Sequence, residues 1–250
     1  MSFSSIITGI TDHISGIYAK YNSAIIVAAG SGTRAGGSKT KQMTELCGLP
    51  VIVRTVNTFE KCKFINEIII VAKEEECGIY DEFVNQYGWK KIKAVVSGAS
   101  TRQGSVLKGF KKISDKSQFV YIHDGARCLT TEKMIADVGH AACMHGAAIA
   151  ACKASDTVKI KEGKKLTSPT RDNVWLAQTP QVFMTEMYRA AAYSAIKNKI
   201  AVTDDASLCE ALGFEVHPVD CTSQNIKITT PYDFAIAEAI LKYRDNEENK

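Results

Sequence analysis

Five short runs, AIIVAA (24–29), EIIIVA (67–72), IKAVVSG (92–98), FVYIHDG (119–125) and AAIAAC (147–152), are apolar at consecutive rather than alternate positions. A strand with that pattern has no face to give to water, so each must be covered on both sides. The covering material lies between the runs: VIVRTVNTFEKC (51–62), EEECGIYDEFVNQY (74–87), TRQGSVLKGFKKI (101–113) and TTEKMIADVGHAACMH (130–145) repeat apolar residues at helical spacing. Strand followed by helix, several times over, leads to an α/β fold with a doubly wound, mostly parallel sheet. In such a sheet ligands bind beyond the carboxyl ends of the strands, where the strand order reverses.

The alternation breaks at SDTVKIKEGKKLTSPTR (155–171), where polar and apolar residues alternate about the turn signal Glu162-Gly163. This predicts a protruding β-hairpin arm, over about 153–173. A two-stranded hairpin is marginal in water by itself, so a second copy of the chain is the expected cover and a homodimer the expected assembly. Beyond the arm, MTEMYRAAAYSAIKN (184–198) and DDASLCEALG (204–213) read as helices, FEVHPVD (214–220) and NIKITT (225–230) as strands, and PYDFAIAEAILKY (231–243) as a closing helix started by Pro231. Without repeats or linkers, residues 1–250 form a single expected domain with an amphipathic helical extension over about 1–20. That extension lacks the basic leader and cleavage site of a signal peptide, and no apolar window is long enough to span a bilayer. Eight cysteines without a CxxC pair suit reduced thiols in a cytoplasmic protein better than a zinc site. A net charge of +4 is too mild to imply nucleic acid or a membrane, which leaves small anions as the expected partners.

The stretch SAIIVAAGSGTRAGGSKTKQ (23–42) joins a strand to a glycine loop and then to cations. At Ala28, Ala29, Gly30 and Gly32 backbone N–H groups can approach an anion closely. The pattern is neither GxGxxG nor a P-loop. Arg34 and Lys41 instead add fixed positive charge, which suits a polyphosphate whose charge must be redistributed in a transition state. A nucleoside triphosphate site is the expectation; a glycine-rich turn with solvated cations is the alternative. In YIHDGARCLT (121–130), Asp124 ends a strand on the same rim, as a metal or sugar contact, while His123 points to the opposite face as a core residue. Lys227, in NIKITT, joins Thr157 and Arg171 of the arm as potential donors to a phosphate monoester. No Ser-His-Asp or Cys-His arrangement is evident, in keeping with direct phosphoryl transfer.

The motifs AAGSGTRAGGSKTKQ, SGASTRQGSV, HDGAR, SDTVK, QTPQVF, VTDDAS and NIKITTPYD occur in the order that resembles 2-C-methyl-D-erythritol 4-phosphate cytidylyltransferases, over roughly residues 23–243. The resemblance implies a Rossmann-like nucleotidyltransferase fold. It also implies a reaction in which a phosphate oxygen of the polyol substrate attacks the α-phosphorus of CTP, with Mg2+, and pyrophosphate leaves. It makes Arg34, Lys41 and Lys227 catalytic, gives CTP to Ala28, Ala29, Gly30, Gly32, Gly98, Ser105 and Asp124, and makes Asp124 the metal contact. Thr157, Arg171 and Thr203 would touch the sugar-alcohol phosphate, the first two across a dimer. Thr40, Gly36-Gly37, Cys128 and Gln224 depart from the family's usual residues. Three alternatives stand beside this reading. A ribitol 5-phosphate cytidylyltransferase would share the scaffold. A nicotinamide-dependent Rossmann oxidoreductase would use Glu74, at the end of the second strand, for a ribose. A non-catalytic CTP-binding regulator would need neither Lys41 nor Lys227.

Overall fold

The computed structural model describes residues 16–30 and 40–248. Seven strands form one sheet: β1 (Asn22–Val27), β4 (Glu67–Ala72), β5 (Ile92–Ser97), β6 (Phe119–Asp124), β7 (Ala147–Lys153), β10 (Trp175–Met184) and β11 (His217–Asp220), in the spatial order β11-β7-β10-β6-β1-β4-β5. Two short pairs stand apart from it, β2 (Glu45–Leu46) with β3 (Leu49–Pro50), and β8 (Ile160–Glu162) with β9 (Lys165–Thr167). The helices are α1 (Val51–Lys61), α2 (Cys77–Gln86), α3 (Arg102–Phe110), α4 (Glu132–His145), α5 (Thr185–Asn198), α6 (Ala206–Glu210) and α7 (Pro231–Glu248). Among the described residues no helix is long and apolar enough to cross a membrane.

The consecutive apolar residues of the strands divide between two cores, as the strand pleat demands. Ala24 and Ile26 of β1, Ile68 and Ile70 of β4 and Tyr121 of β6 pack with α1, α2 and α4 through Val56, Phe59, Tyr80 and Ile135. Their neighbours Ile25, Ile69, Val71, Val120 and Ile122 face α3, α5 and α6 through Val106, Phe110, Tyr188 and Leu208. Every one of these side chains is at most 4% exposed, so each of the larger ones contributes about 1.5–3 kcal/mol of burial and none can become polar cheaply.

Two features differ from the sequence expectation. The segment QTPQVF lies inside β10, the one strand antiparallel to its neighbours, pairing with both β6 and β7. The sequence conceals this strand because Pro180 cannot donate to a ladder; the pairing slips between Ala177 and Gln181, and the proline occupies the slip. Conversely, NIKITT is not a strand. Its Asn225 side chain is buried and hydrogen-bonded to β10, and Ile228 donates to the Ala126 carbonyl at 2.9 Å, so the segment is anchored without a ladder. Ile228 also joins Leu46, Val51, Leu129 and Ala237 of α7 in a third apolar cluster.

The arm is present as β8 and β9, paired Ile160 with Thr167 and Glu162 with Lys165, and Gly163 takes φ +60° in its turn. Register then fixes the functional rim. Val27 of β1 pairs with Val71 of β4 and with Asp124 of β6, so three strands end level, and the loop after β1 leaves beside Asp124.

Candidate active site

A cavity of about 600 Å³ opens at this rim. Ala29, Gly30, Lys41, Ser105, Asp124 and Lys227, six of the residues singled out from sequence, line it. Ala28 is adjacent but fully buried, and its N–H is committed to Val71 O at 2.7 Å. Gly98 sits just behind the wall: a Cβ there would collide with the Ala29 methyl and lie 3.0 Å from Ser105 Oγ, so only glycine lets the loops after β1 and β5 approach this closely. Ser105 Oγ donates to Thr101 O at 2.9 Å and accepts from Ala99 N–H at 2.9 Å, folding residues 98–101 against α3. Gly32 and Arg34 lie outside the described residues, as do Gly36-Gly37 and residues 1–15 of the N-terminal extension.

Asp124 is the hub of the rim. It is 7% exposed, and its carboxylate lies 2.7 Å from Lys227 Nζ, 3.2 Å from Arg102 Nε and 4.0 Å from Arg127 Nε. Burial raises its pKa, but Arg102, Lys227 and Arg127 more than offset this and hold the carboxyl below the ordinary range. Arg102, the first residue of α3, also donates from Nη1 to Asp205 Oδ2 at 2.6 Å, and Asp205 accepts from Tyr188 Oη at 2.8 Å. In the wall of the larger cavity, among the described residues, Lys41, Arg102 and Lys227 thus stand against the one carboxylate of Asp124, an arrangement that keeps a positive excess for an anionic ligand.

Behind Asp124 the fold is tied by neutral groups. Asp124 N–H donates to Thr179 Oγ1 at 3.0 Å, Thr179 Oγ1 lies 3.1 Å from His123 Nδ1, and His123 Nε2 lies 3.1 Å from Arg127 O. A carbonyl can only accept, so Nε2 carries the ring proton and Nδ1 accepts from the threonine hydroxyl. Burial pushes the imidazole down to about 4, so it is neutral at physiological pH, as its core placement predicts. The neighbouring helix α4 is capped by Thr131, whose Oγ1 accepts from Met134 N–H at 3.2 Å, and Asp124 is left for the rim.

A second cavity, of about 160 Å³, lies on the other side of this hub. It shares Arg102, Asp124 and Lys227 with the first, and Thr203, Asp204, Gln178 and Gln181 are also in its wall. Thr157 and Arg171 reach neither cavity within one chain; both are exposed on the arm. Glu74 is likewise exposed, in a 3₁₀ turn outside both cavities, which leaves a nicotinamide ribose no acidic partner there.

A family model described as IspD, 2-C-methyl-D-erythritol 4-phosphate cytidylyltransferase, matches residues 23–243. The chain belongs to this family. A 2-C-methyl-D-erythritol 4-phosphate cytidylyltransferase of Geotalea uraniireducens is 40% identical over 228 residues, covering 90% of this chain and 98% of that protein. One from Syntrophus aciditrophicus is 41% identical, covering 88% and 95%. The solved structure of a 4-diphosphocytidyl-2C-methyl-D-erythritol synthase from Anaerococcus prevotii superposes with a TM-score of 0.81 at 34% identity, over 89% of this chain and 99% of that one. The sheet order and its single antiparallel strand are therefore those of a Rossmann-like nucleotidyltransferase fold.

Sequence reasoning missed Arg102, Arg127 and Asp205 as parts of the site. Each lies inside a quoted motif, STRQ, HDGAR and VTDDAS, but no motif by itself says that its charge meets the others. The signal was present only jointly, as polar residues with no role in separate segments that the topology gathers at one rim.

Proposed function

We propose that the chain transfers the cytidylyl group of CTP to 2-C-methyl-D-erythritol 4-phosphate, giving 4-diphosphocytidyl-2-C-methyl-D-erythritol and pyrophosphate. A phosphate oxygen of the alcohol attacks the CTP α-phosphorus, a new P–O bond forms, the bond to the β-phosphate oxygen breaks, and pyrophosphate carries that electron pair away. One observation supports this most: the loop after β1, Lys41, Asp124 and Lys227, far apart in sequence, line a single cavity whose wall is shared with a smaller polar one. The larger volume suits a nucleotide and the smaller a phosphate monoester. Membership of the family supplies the chemistry that such a pair of sites would serve.

In this reading the amides of Ala29, Gly30 and Gly32 hold triphosphate oxygens, Gly98 and Ser105 shape the cytidine end, and Arg34 and Lys41 stabilise charge developing at the α-phosphate. Lys227 orients the attacking phosphate from the shared wall, and Thr203 meets the polyol. The donor set for a resident magnesium is thin: Asp124 is the one carboxylate lining the larger cavity among the described residues, and both its oxygens face cations. No group of three or more potential metal ligands occurs among the described residues. Mg2+ therefore belongs with CTP as part of the substrate, its oxygen shell completed mainly by phosphate and water, with Asp124 the available protein contact.

Thr157 and Arg171 act, on this proposal, in the site of a second copy. Ile160 and Leu166 on the arm and Leu176 at the start of β10 are 45%, 62% and 50% exposed, and apolar residues set on and beside a hairpin too small to stand alone are what a homodimer contact would cover. The deciding assay incubates the protein with Mg2+, CTP and either 2-C-methyl-D-erythritol 4-phosphate or ribitol 5-phosphate, and measures pyrophosphate. Release with the branched substrate is expected. Release with ribitol 5-phosphate alone would transfer the reading to the pentitol enzyme, and release with neither would end it.

A further inference from the structure

The slip in β10 brings a buried side-chain amide, Gln181, against the turn that carries Thr203. Gln181 is 1% exposed and uses its whole amide. Its Oε1 accepts from Asp205 N–H and Ala206 N–H, both at 3.0 Å. Its Nε2 donates to Asp204 Oδ2 at 2.8 Å and to Gln178 O at 3.3 Å. Asp204 then uses Oδ1 to accept from Ser207 N–H at 3.1 Å. The amino end of the short helix α6 is thus capped from outside itself, by a side chain on a strand of the central sheet. Five residues are too few to hold such a helix by propensity, so its location depends on these bonds and on the packing of Leu208 and Cys209.

What the cap holds is the wall of the small cavity. Thr203 and Asp204 line it directly, and Asp205 grips Arg102, which lines both cavities. We infer that Gln181 is a positioning residue for the sugar-alcohol phosphate: it sets the turn 203–205, and through Asp205 it sets the guanidinium of Arg102 on the shared wall. The inference rests on the assignment of the small cavity made above. The residue type follows from the geometry, because one planar group must accept from two N–H donors and donate to a carboxylate. A carboxylate in its place would face Asp204 as a like charge, and a thioether of the same reach could not donate and would accept only weakly.

The test uses the full-length protein and four readouts: KM for 2-C-methyl-D-erythritol 4-phosphate, kcat, the CTP dissociation constant by calorimetry, and the thermal midpoint. Gln181→Met and Gln181→Glu are each expected to raise KM for the alcohol phosphate on the order of 10- to 100-fold, the cost of a small misplacement in an otherwise intact site, while CTP affinity, for which only Arg102 of the displaced groups is shared, changes by a smaller factor. Adding Asp204→Asn to Gln181→Glu reverses the hydrogen bond, with the amide now on the turn and the carboxylate on the strand, and should bring KM back toward wild type. Loss of a merely structural glutamine would instead lower midpoint, kcat and CTP affinity together with the affinity for the alcohol phosphate; that result, or an unchanged KM in an active single variant, overturns the inference. Should Gln181→Met lose its fold, the double variant Gln181→Glu with Asp204→Asn decides, and failure of that double variant to fold counts against positioning. If wild type makes no product, it is the assignment of the cavity that has failed, and the inference goes with it.

Discussion

Two carboxylates end up buried at opposite ends of the same sheet, and their surroundings differ in kind. Glu67, at the amino end of β4, is 4% exposed; Asp124, at the carboxyl end of β6, is 7% exposed. Glu67 accepts from Ser23 Oγ at 2.7 Å, Ser114 N–H at 2.6 Å and Tyr21 Oη at 3.3 Å, and meets one half-exposed cation, Lys93, at 3.0 Å. Asp124 meets Lys227, Arg102 and Arg127. The first set neutralises and ties strands together. The second gathers more positive charge than its carboxylates cancel, an arrangement that costs stability unless an anion arrives, and that stability is a common sacrifice of active sites. Burial does not distinguish the two carboxylates; the charge balance around them does.

The largest effect expected at the rim is on rate. Lys41→Ala should reduce turnover on the order of 10²- to 10³-fold, the usual loss on removing one preorganised donor to a transition-state oxyanion, with the thermal midpoint close to wild type. Steady-state pyrophosphate release and a melting curve measure both. Near-normal turnover would mean that the rim's positive excess is not catalytic, and the contrast with Glu67 would reduce to packing.

The contrast can then be tested on stability. Asp124→Asn leaves three buried or half-buried cations without their shared counter-charge, for an expected loss of about 3–5 kcal/mol. Glu67→Gln keeps acceptors for Ser23 and Ser114 and sheds an ion pair with a solvent-exposed lysine, for an expected loss of about 1–2 kcal/mol with turnover retained. Urea unfolding compares the two. Adding CTP should recover part of the Asp124→Asn deficit, because the nucleotide brings the missing negative charge, and none of the Glu67→Gln deficit beyond what wild type gains. Equal losses with equal response to CTP would erase the distinction.

How much of this was legible beforehand follows the same division. The base of the sheet and both cores could be read from sequence because burial imposes periodicity: Ala24, Ile26 and Tyr121 declare one face, Ile25 and Ile122 the other. The glycine loop, Lys41 and Asp124 were legible because they follow strand ends, where topology alone locates a site. The partnership of Arg102 with Asp205 was not, since 103 residues separate them and neither sits in a periodic pattern. Strand β10 escaped for a related reason: Pro180 argues against a strand locally, and only the slip in pairing, a property of three strands together, makes room for it. NIKITT erred in the opposite direction, its alternation produced by an anchored loop whose Asn225 and Ile228 bury for separate reasons.

Between the rim and the core stands His123, which sharpens the comparison through pH. Its imidazole is neutral in the fold, with its pKa lowered by burial to about 4 from an ordinary value of 6.5. The unfolded chain takes up a proton as pH falls below about 6.5 while the folded one does not, so stability is fully present above that value and is lost progressively toward pH 4. The loss approaches about 3 kcal/mol at the lower end. Asp124 begins to contribute only below about pH 5, where its carboxyl in the unfolded chain starts to take up protons, so the slope between about 6.5 and 5 belongs to the core side of β6. His123→Gln should flatten the dependence of unfolding free energy on pH between 6.5 and 4; an undiminished slope would assign it elsewhere.

The smallest effect lies farthest out, on the arm. Arg171 is exposed and reaches neither cavity of its own chain, so within one subunit its removal should do nothing beyond about 0.5 kcal/mol of stability. If the arm serves a second copy, Arg171→Ala removes one charged hydrogen bond to the substrate phosphate and should raise KM about tenfold, kcat changing less. Subunit mixing separates this from any distant effect within the chain. An Arg171→Ala protomer paired with a Lys41→Ala protomer has one site with an intact Lys41 and an intact partner arm, so, assayed with the alcohol phosphate well below the wild-type KM, mixing two impaired proteins should restore about a quarter of wild-type activity per total chain, since half the dimers are mixed and each has one working site. Were both residues to serve the site of their own chain, that site would never form, because no chain would carry Lys41 and Arg171 together.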